Sequence, residues 1–259
     1  SCGVAINKLQ RLETDKGSWL VYRKRQKGQT AKKLIPGILA GALDKLPIPK
    51  RMRWADSTVE FVRPVHWIML LFGKKTITTN IYSVDSNNHT FGHRFHHPQA
   101  VILKNINDYE TTLEKKCHVI PSFDKRRENI LQQIEKIAGD KNACLDLDPA
   151  LLDEVTSMVE WPIAILGDFD PEFLDIPAEA SVCAMKHHQK FFCLNDKSGK
   201  LLPHFITVSN IDSTDPAQVK NGNERVIRPR LTDAMFFWNQ DKKQPLFAKL
   251  ETLKSVIFQ

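Results

Sequence analysis

The stretch GNERVIRPRLTDAMFFWNQD, residues 222–241, sets Arg225, Arg228 and Arg230 close together, divides them with Pro229 and follows them with the apolar run Met235-Phe236-Phe237-Trp238. Read as one helix, it is a core element with a charged rim. Read as a loop that runs into a helix, it is a docking face for a polyanion. Proline disfavours helix at the residue before it, so Arg225 and Arg228 are expected in a loop or at a strand end, with the helix starting near Arg230. Inside that helix Leu231, Ala234, Phe237 and Trp238 share one face, a spacing that suits burial. Asp233 stands one turn from Arg230, where it would form an ion pair. The aromatics are expected in the core, holding the arginines rigidly and aiming them outward. The alternative reading has the arginines locked to Glu224, Asp233 or Asp241 in an internal salt-bridge network.

Working outward, helical spacing recurs over residues 30–46, 105–117, 122–138, 178–189 and 245–255. Asp148-Pro149 is a cap followed by proline at the first helical position, and that helix should run to about Glu160. Strands are expected over residues 61–72, with 67–72 buried, and over 76–84 as the hairpin partner, then over 162–167, 190–194 and 204–209. The order is mixed, without βαβ alternation, which gives an α+β class: a mixed or antiparallel sheet with packed helices. Three parts are expected: a basic, β-rich region with an N-terminal amphipathic helix over 1–100, a helical insert or connector over 101–140, and an α+β region ending in helices over 141–259. The chain has 259 residues, 42% hydrophobic and 26% charged, enough apolar material for one large core or two smaller ones. Ser1 lacks a cap or turn and residues 256–259 are mostly apolar, so the chain reads as a piece cut from a longer protein.

Charge is segregated. Residues 1–75 hold 16 Lys and Arg against 5 Asp and Glu, a balance of +11, whereas residues 140–180 hold 1 Lys against 11 Asp and Glu, a balance of −10. That polarity suits one face for a polyanion and another for a different partner. Cys2, Cys117, Cys144, Cys183 and Cys193 are odd in number and contain no CxxC pair, so free thiols in a reducing cytoplasm are expected. No run approaches the ~20 apolar residues of a membrane span. There is no GxxxxGK[ST] loop, no GxGxxG after a strand and no GxSxG elbow, so no nucleotide-activating or hydrolytic site is expected.

Three basic runs interleave cations with aromatics. KLPIPKRMRW, residues 45–54, is stiffened by Pro47 and Pro49 and offers Lys50, Arg51 and Arg53 beside Trp54, a set suited to phosphate contact and stacking. HTFGHRFHH, residues 89–97, holds His89, His93, His96 and His97. It reads as a Gly-hinged loop whose histidines bond backbone groups, as an RNA contact with Arg94 on phosphate and Phe95 stacked, or as a metal site for a hydrolase. MKHHQKFF, residues 185–192, offers Lys186, Gln189 and Lys190 to a ligand while Phe191 and Phe192 enter the core.

Five blocks in order then resemble one family, the β subunit of the bacterial heterotetrameric glycyl-tRNA synthetase: KLPIPKRMRW, FVRPVHW (residues 61–67), GHRFH (92–96), EVTSMVEWP (154–162) and GNERVIRPRLTDAMFFW (222–238). The resemblance spans about residues 15–259. It implies a partner α subunit that holds the class II adenylation site, with ATP and Mg at that subunit and no cofactor, catalytic residue or metal in this chain. It also implies further β-subunit domains, an HD-like one and an anticodon-binding one, and a module akin to the B3/B4 region of the phenylalanine enzyme's β subunit. The expected role is binding glycine tRNA and scaffolding the ligase in the cytoplasm. Lys50, Arg51, Arg53, Arg63, His93, Arg94, Lys186, Gln189, Lys190, Arg225, Arg228 and Arg230 are the candidate tRNA contacts. The alternative is a protein–protein module that holds the α subunit or other β-subunit domains without touching RNA.

Overall fold

The computed structural model describes residues 3–256, and the side chains of all of these but 251 and 252. The reading of Ser1 and of residues 257–259 lies outside the described residues. The chain divides after Asn87 into two units, Ser1–Asn87 and Asn88–Gln259.

The first unit opens with a hairpin, β1 (Gln10–Thr14) against β2 (Gly17–Val21), followed by α1 (Ala31–Asp44). Short strands follow: β3 (Met52–Arg53) pairs with β4 (Glu60–Phe61), β5 is Ile68–Met69, and β6 (Leu71–Phe72) pairs with β7 (Lys75–Thr76). Then β8 (Asn80–Ile81) turns into β9 (Val84–Asn87), which lies between β8 and β5 and runs parallel to β5. Tyr82 and Ser83, at φ 54° and 62°, form the two-residue turn between β8 and β9, the conformation that matches strand twist. Ile77 and Ile81 are its buried aliphatics, and the Ser86 hydroxyl ties Ile77 O to Thr79 N. The long strand expected over 61–72 and its partner over 76–84 are thus replaced by pieces of two to four residues. Pro64 supplies no ladder donor, and Trp67 and Phe72 are 40% and 55% exposed, so no buried face holds one register.

In the second unit β10 (His89–Phe91) pairs with β11 (Ala100–Ile102), and α2 (Tyr109–Lys116) leads to α3 (Phe123–Asp140). Ser122 caps α3, its hydroxyl accepting Lys125 N–H. After β12 (Cys144–Leu145), the Asp148 carboxylate caps α4 (Pro149–Met158) by accepting Ala150 and Leu151 N–H, as the Asp-Pro pair predicts. Then come β13 (Ile163–Asp168), α5 (Ala178–Cys183), β14 (Phe192–Asn195), β15 (Leu201–Ser209), α6 (Pro216–Asp241) and α7 (Leu250–Leu253). The strands form an antiparallel sheet ordered β12-β14-β15-β13. The α+β class read from the sequence holds.

Strand alternation gives this sheet two apolar faces. Phe192, Leu194 and Ile206 pack with Ile130 and Ile134 of α3 and Leu151, Leu152 and Val155 of α4. Cys193 and Phe205 pack with Met185, Phe191, and Ile227 and Leu231 of α6. Phe191 and Phe205 stack at 4.4 Å between centroids. Gly167 stands opposite Phe205 in the ladder, where a Cβ would meet the ring at 2.3 Å.

Two expectations for the quoted stretch are corrected. The helix starts at Pro216, capped by Asp215, and runs through Pro229, so Arg225 and Arg228 are helical. Ile227 and Leu231, both at 0% exposure, anchor the helix on either side of the proline, which itself faces solvent. That anchoring outweighs one lost backbone bond. The aromatics are not core either: Phe236 and Phe237 are 56% and 63% exposed, and Met235 is the member of the run that packs inward. The helix expected over 178–189 is α5 continued by a π-turn, Ala184–His188, and that over 245–255 is a 3-10 turn, Leu246–Lys249, before α7.

Candidate nucleic-acid interface

His93 is 1% exposed and organises its loop. Its Nδ1 accepts the N–H groups of Phe95 and His96, which leaves the proton on Nε2, and that nitrogen donates to Asn210 O at 2.5 Å. The Asn210 side chain in turn accepts Glu160 and Trp161 N–H. The loop, the segment after α4 and the segment after β15 thus meet at one residue pair. Gly92 allows this, because a Cβ there would come 2.8 Å from Cys117 O. The His93, His96, His118 and Trp161 rings follow one another at 4.7, 5.0 and 5.2 Å. His96 Nε2 accepts Asp212 N–H. Of the loop readings, the Gly-hinged one with backbone-bonded histidines describes this arrangement. Among the described residues no three His, Cys, Asp or Glu side chains gather as metal ligands. Arg94 and Phe95 point to solvent at the loop's tip, Phe95 at 72% exposure.

The π-turn carries the next candidates. Lys186 pairs with Asp146 at 2.6 Å, and Lys190, at φ 60°, pairs with Glu154 at 2.8 Å. Gln189 and Lys190 line a shallow pocket of about 240 Å³ with Met158, Thr207 and Asn210, which sets this segment beside the residue that holds His93. Cys193 lies under the turn, and burial pushes its thiol up to about 12, so it is a core residue rather than a nucleophile.

On α6, Arg228 pairs with Asp170 at 2.5 Å. Arg225 and Arg230 are exposed and, among the described residues, have no acidic partner; the pair expected between Arg230 and Asp233 does not form. One turn earlier lies a network that bonds the helix to the sheet. Asp168 accepts His204 Nδ1–H at 2.6 Å and Lys220 at 2.5 Å, while the Glu224 carboxylate accepts Asp168 N–H. Burial alone would raise the Asp168 carboxyl, but the bonds from Lys220 and His204 hold it below its ordinary value, and the Asp168 bond raises Lys220.

In the first unit, Arg53 faces Glu60 across the β3–β4 ladder and pairs with it at 3.3 Å. Arg51 donates to Asp44 O, Arg63 reaches only Met52 Sδ, and Lys50 is exposed without a partner among the described residues.

The sequence model of the family described as glycyl-tRNA synthetase beta subunit matches residues 1–259. The chain belongs to this family. It is 49% identical to the glycine–tRNA ligase beta subunit of Hahella chejuensis, 48% to that of Psychromonas ingrahamii and 47% to that of Chromohalobacter salexigens, each over 259 residues. These matches cover all of this chain but only 37 or 38% of each relative, so the chain spans little more than a third of their length. The resemblance carried by the five blocks is therefore borne out. In this member of the glycyl-tRNA synthetase β-subunit family, block GHRFH meets block EVTSMVEWP through Asn210, and KLPIPKRMRW meets FVRPVHW in the β3–β4 ladder. Sequence reading missed Asn210, Asp168, His204 and Lys220. Only Asp168 sits where a pattern could flag it, as an acidic residue closing an apolar strand. Among the described residues no helix is long and apolar enough to cross a membrane.

Proposed function

We propose that this chain is a tRNA-holding and scaffolding part of a glycine–tRNA ligase β subunit, supporting the ATP-dependent attachment of glycine to its tRNA at an active site on the α subunit. ATP and Mg act at that other subunit, and this chain alone catalyses no glycine-dependent pyrophosphate exchange. One observation carries the RNA reading: the twelve candidate groups divide by partner. Lys186, Lys190, Arg228 and Arg53 are spent on Asp146, Glu154, Asp170 and Glu60. His93 and Arg51 hold backbone carbonyls, and Arg63 leans on a thioether. Lys50, Arg94, Arg225 and Arg230 are exposed without an acidic partner among the described residues, and Gln189 opens on the shallow pocket. Unpaired cations in a member of this family are the groups free to meet phosphate.

The same division weakens the acidic 140–180 segment as a docking face, because Asp146, Asp153, Glu154, Asp168 and Asp170 are all neutralised within the unit. The test is a pair of variants in the purified chain. Arg225→Ala with Arg230→Ala should weaken tRNA binding and flatten its salt slope by about one unit per arginine, at unchanged melting temperature. Lys186→Ala should do the reverse. A double variant with wild-type affinity and slope would remove α6 from the interface.

A further inference from the structure

We propose that the apolar surface formed by the end of α6 and the segment after it is an interface for further polypeptide of a full-length β subunit. Leu246 and Phe247 on the 3-10 turn after α6, and Leu250 and Leu253 on α7, put four large apolar side chains within eight residues. Among the described residues they stay outside the core: Leu246, Leu250 and Leu253 are 88%, 61% and 62% exposed, with Phe247 at 76% and the Phe236 and Phe237 rings of α6 also outside. None of the six belongs to either hydrophobic cluster of the sheet. Six large apolar side chains within eighteen residues are more than the scattered exposure ordinary for a surface. Trp238, the last aromatic of the run, is covered by its own cation, the Lys242 ammonium lying 5.5 Å from the ring centre.

The chemistry of the surface selects its occupant. Three of the six are leucines, which have no π face for a base and no donor for a phosphate, so RNA gains little there. Asp241, Lys243 and Lys249 line a groove of about 410 Å³ with Leu246. That gives charge of both signs around an apolar centre, the anatomy of a protein–protein contact. Relatives of which this chain covers 37 or 38% contain ample polypeptide to supply the cover. The occupant is therefore a helix or strand with an apolar face and charges of both signs at its margin, carried by the rest of the β subunit. This inference does not rest on RNA binding.

The experiment compares Phe237→Asp and Leu250→Asp in the 259-residue chain and in a full-length β subunit carrying this sequence, with Thr232→Asp, on the exposed side of α6, as control. Melting temperature is read in the absence of RNA. The expected result is no change in the short chain, a fall of at least several degrees in the full-length subunit, and silence of the control in both. Equal falls in the two contexts would make these residues part of this chain's own core and overturn the proposal. No effect in the full-length subunit would also overturn it. In that case, loss of self-association would identify a second copy as the occupant, and loss of α-subunit binding would identify that chain.

Discussion

Gly167 shows how one residue type can decide packing. It stands opposite Phe205 in the β13–β15 ladder, and an added Cβ would lie 2.3 Å from the ring that stacks on Phe191. Gly167→Ala should therefore destabilise the second unit by about 1–3 kcal/mol, the range of overpacking, measured by denaturant unfolding. Gly139→Ala, inside α3 with open space around it, should instead stabilise by about 0.5–1 kcal/mol. Asp168 supplies a pH signature. Its folded-state carboxyl is held below its ordinary value by Lys220 and His204 against the effect of burial. Its contribution is full above the unfolded value of about 4 and is lost as pH falls through the lower folded value. Asp168→Asn should cost about 1 kcal/mol at neutral pH, a modest figure because the pair is partly exposed. A melting-temperature series should also show a shallower decline below about pH 4 than wild type. Some of this was legible in the sequence. The hinged loop with backbone-bonded histidines was one of three readings open for residues 89–97, and the buried His93 is what selects it. Asn210 was not legible, since a lone asparagine after a strand looks the same whether it holds three segments or none.

At the scale of elements, α3 and α4 were readable because Ser122 and Asp148 announce their caps and the apolar spacing continues without interruption. Helix α6 opens with the same Asp-Pro signature, Asp215-Pro216, but Pro229 obscured it. The rule that proline breaks a helix is local, and it loses where Ile227 and Leu231 are both fully buried in the same tertiary contact. Removing the proline tests that balance. Pro229→Ala restores a donor to the Arg225 carbonyl and should raise stability by about 1–3 kcal/mol, seen as a higher melting temperature. A fall would mean that the proline shapes a needed bend. The misread aromatics have a different cause. Periodicity says that Phe237 and Trp238 share a stripe, but not whether the partner of that stripe lies in the same 259 residues. The first unit was hardest to read: its strands are two to five residues long, and β-branched runs over 61–84 fit several registers equally well.

For the whole molecule, charge was visible in the sequence but its disposition was not. Five of the eleven acids over 140–180, Asp146, Asp153, Glu154, Asp168 and Asp170, pair with Lys186, Arg127, Lys190, Lys220 and Arg228 within the second unit. That is why several attractive cations are poor candidates for phosphate, and why the unpaired ones carry the account. Such contacts release counterions, so affinity must depend steeply on salt. The most direct test is equilibrium binding of glycine tRNA to this chain, with a non-cognate tRNA beside it, over a series of salt concentrations. With Lys50, Arg94, Arg225 and Arg230 on duplex phosphates, the slope of log K against log salt should be about −3 to −4. Absence of binding at low salt, or binding indifferent to salt, would contradict the account and leave the apolar end of α6 as the surface through which this chain works.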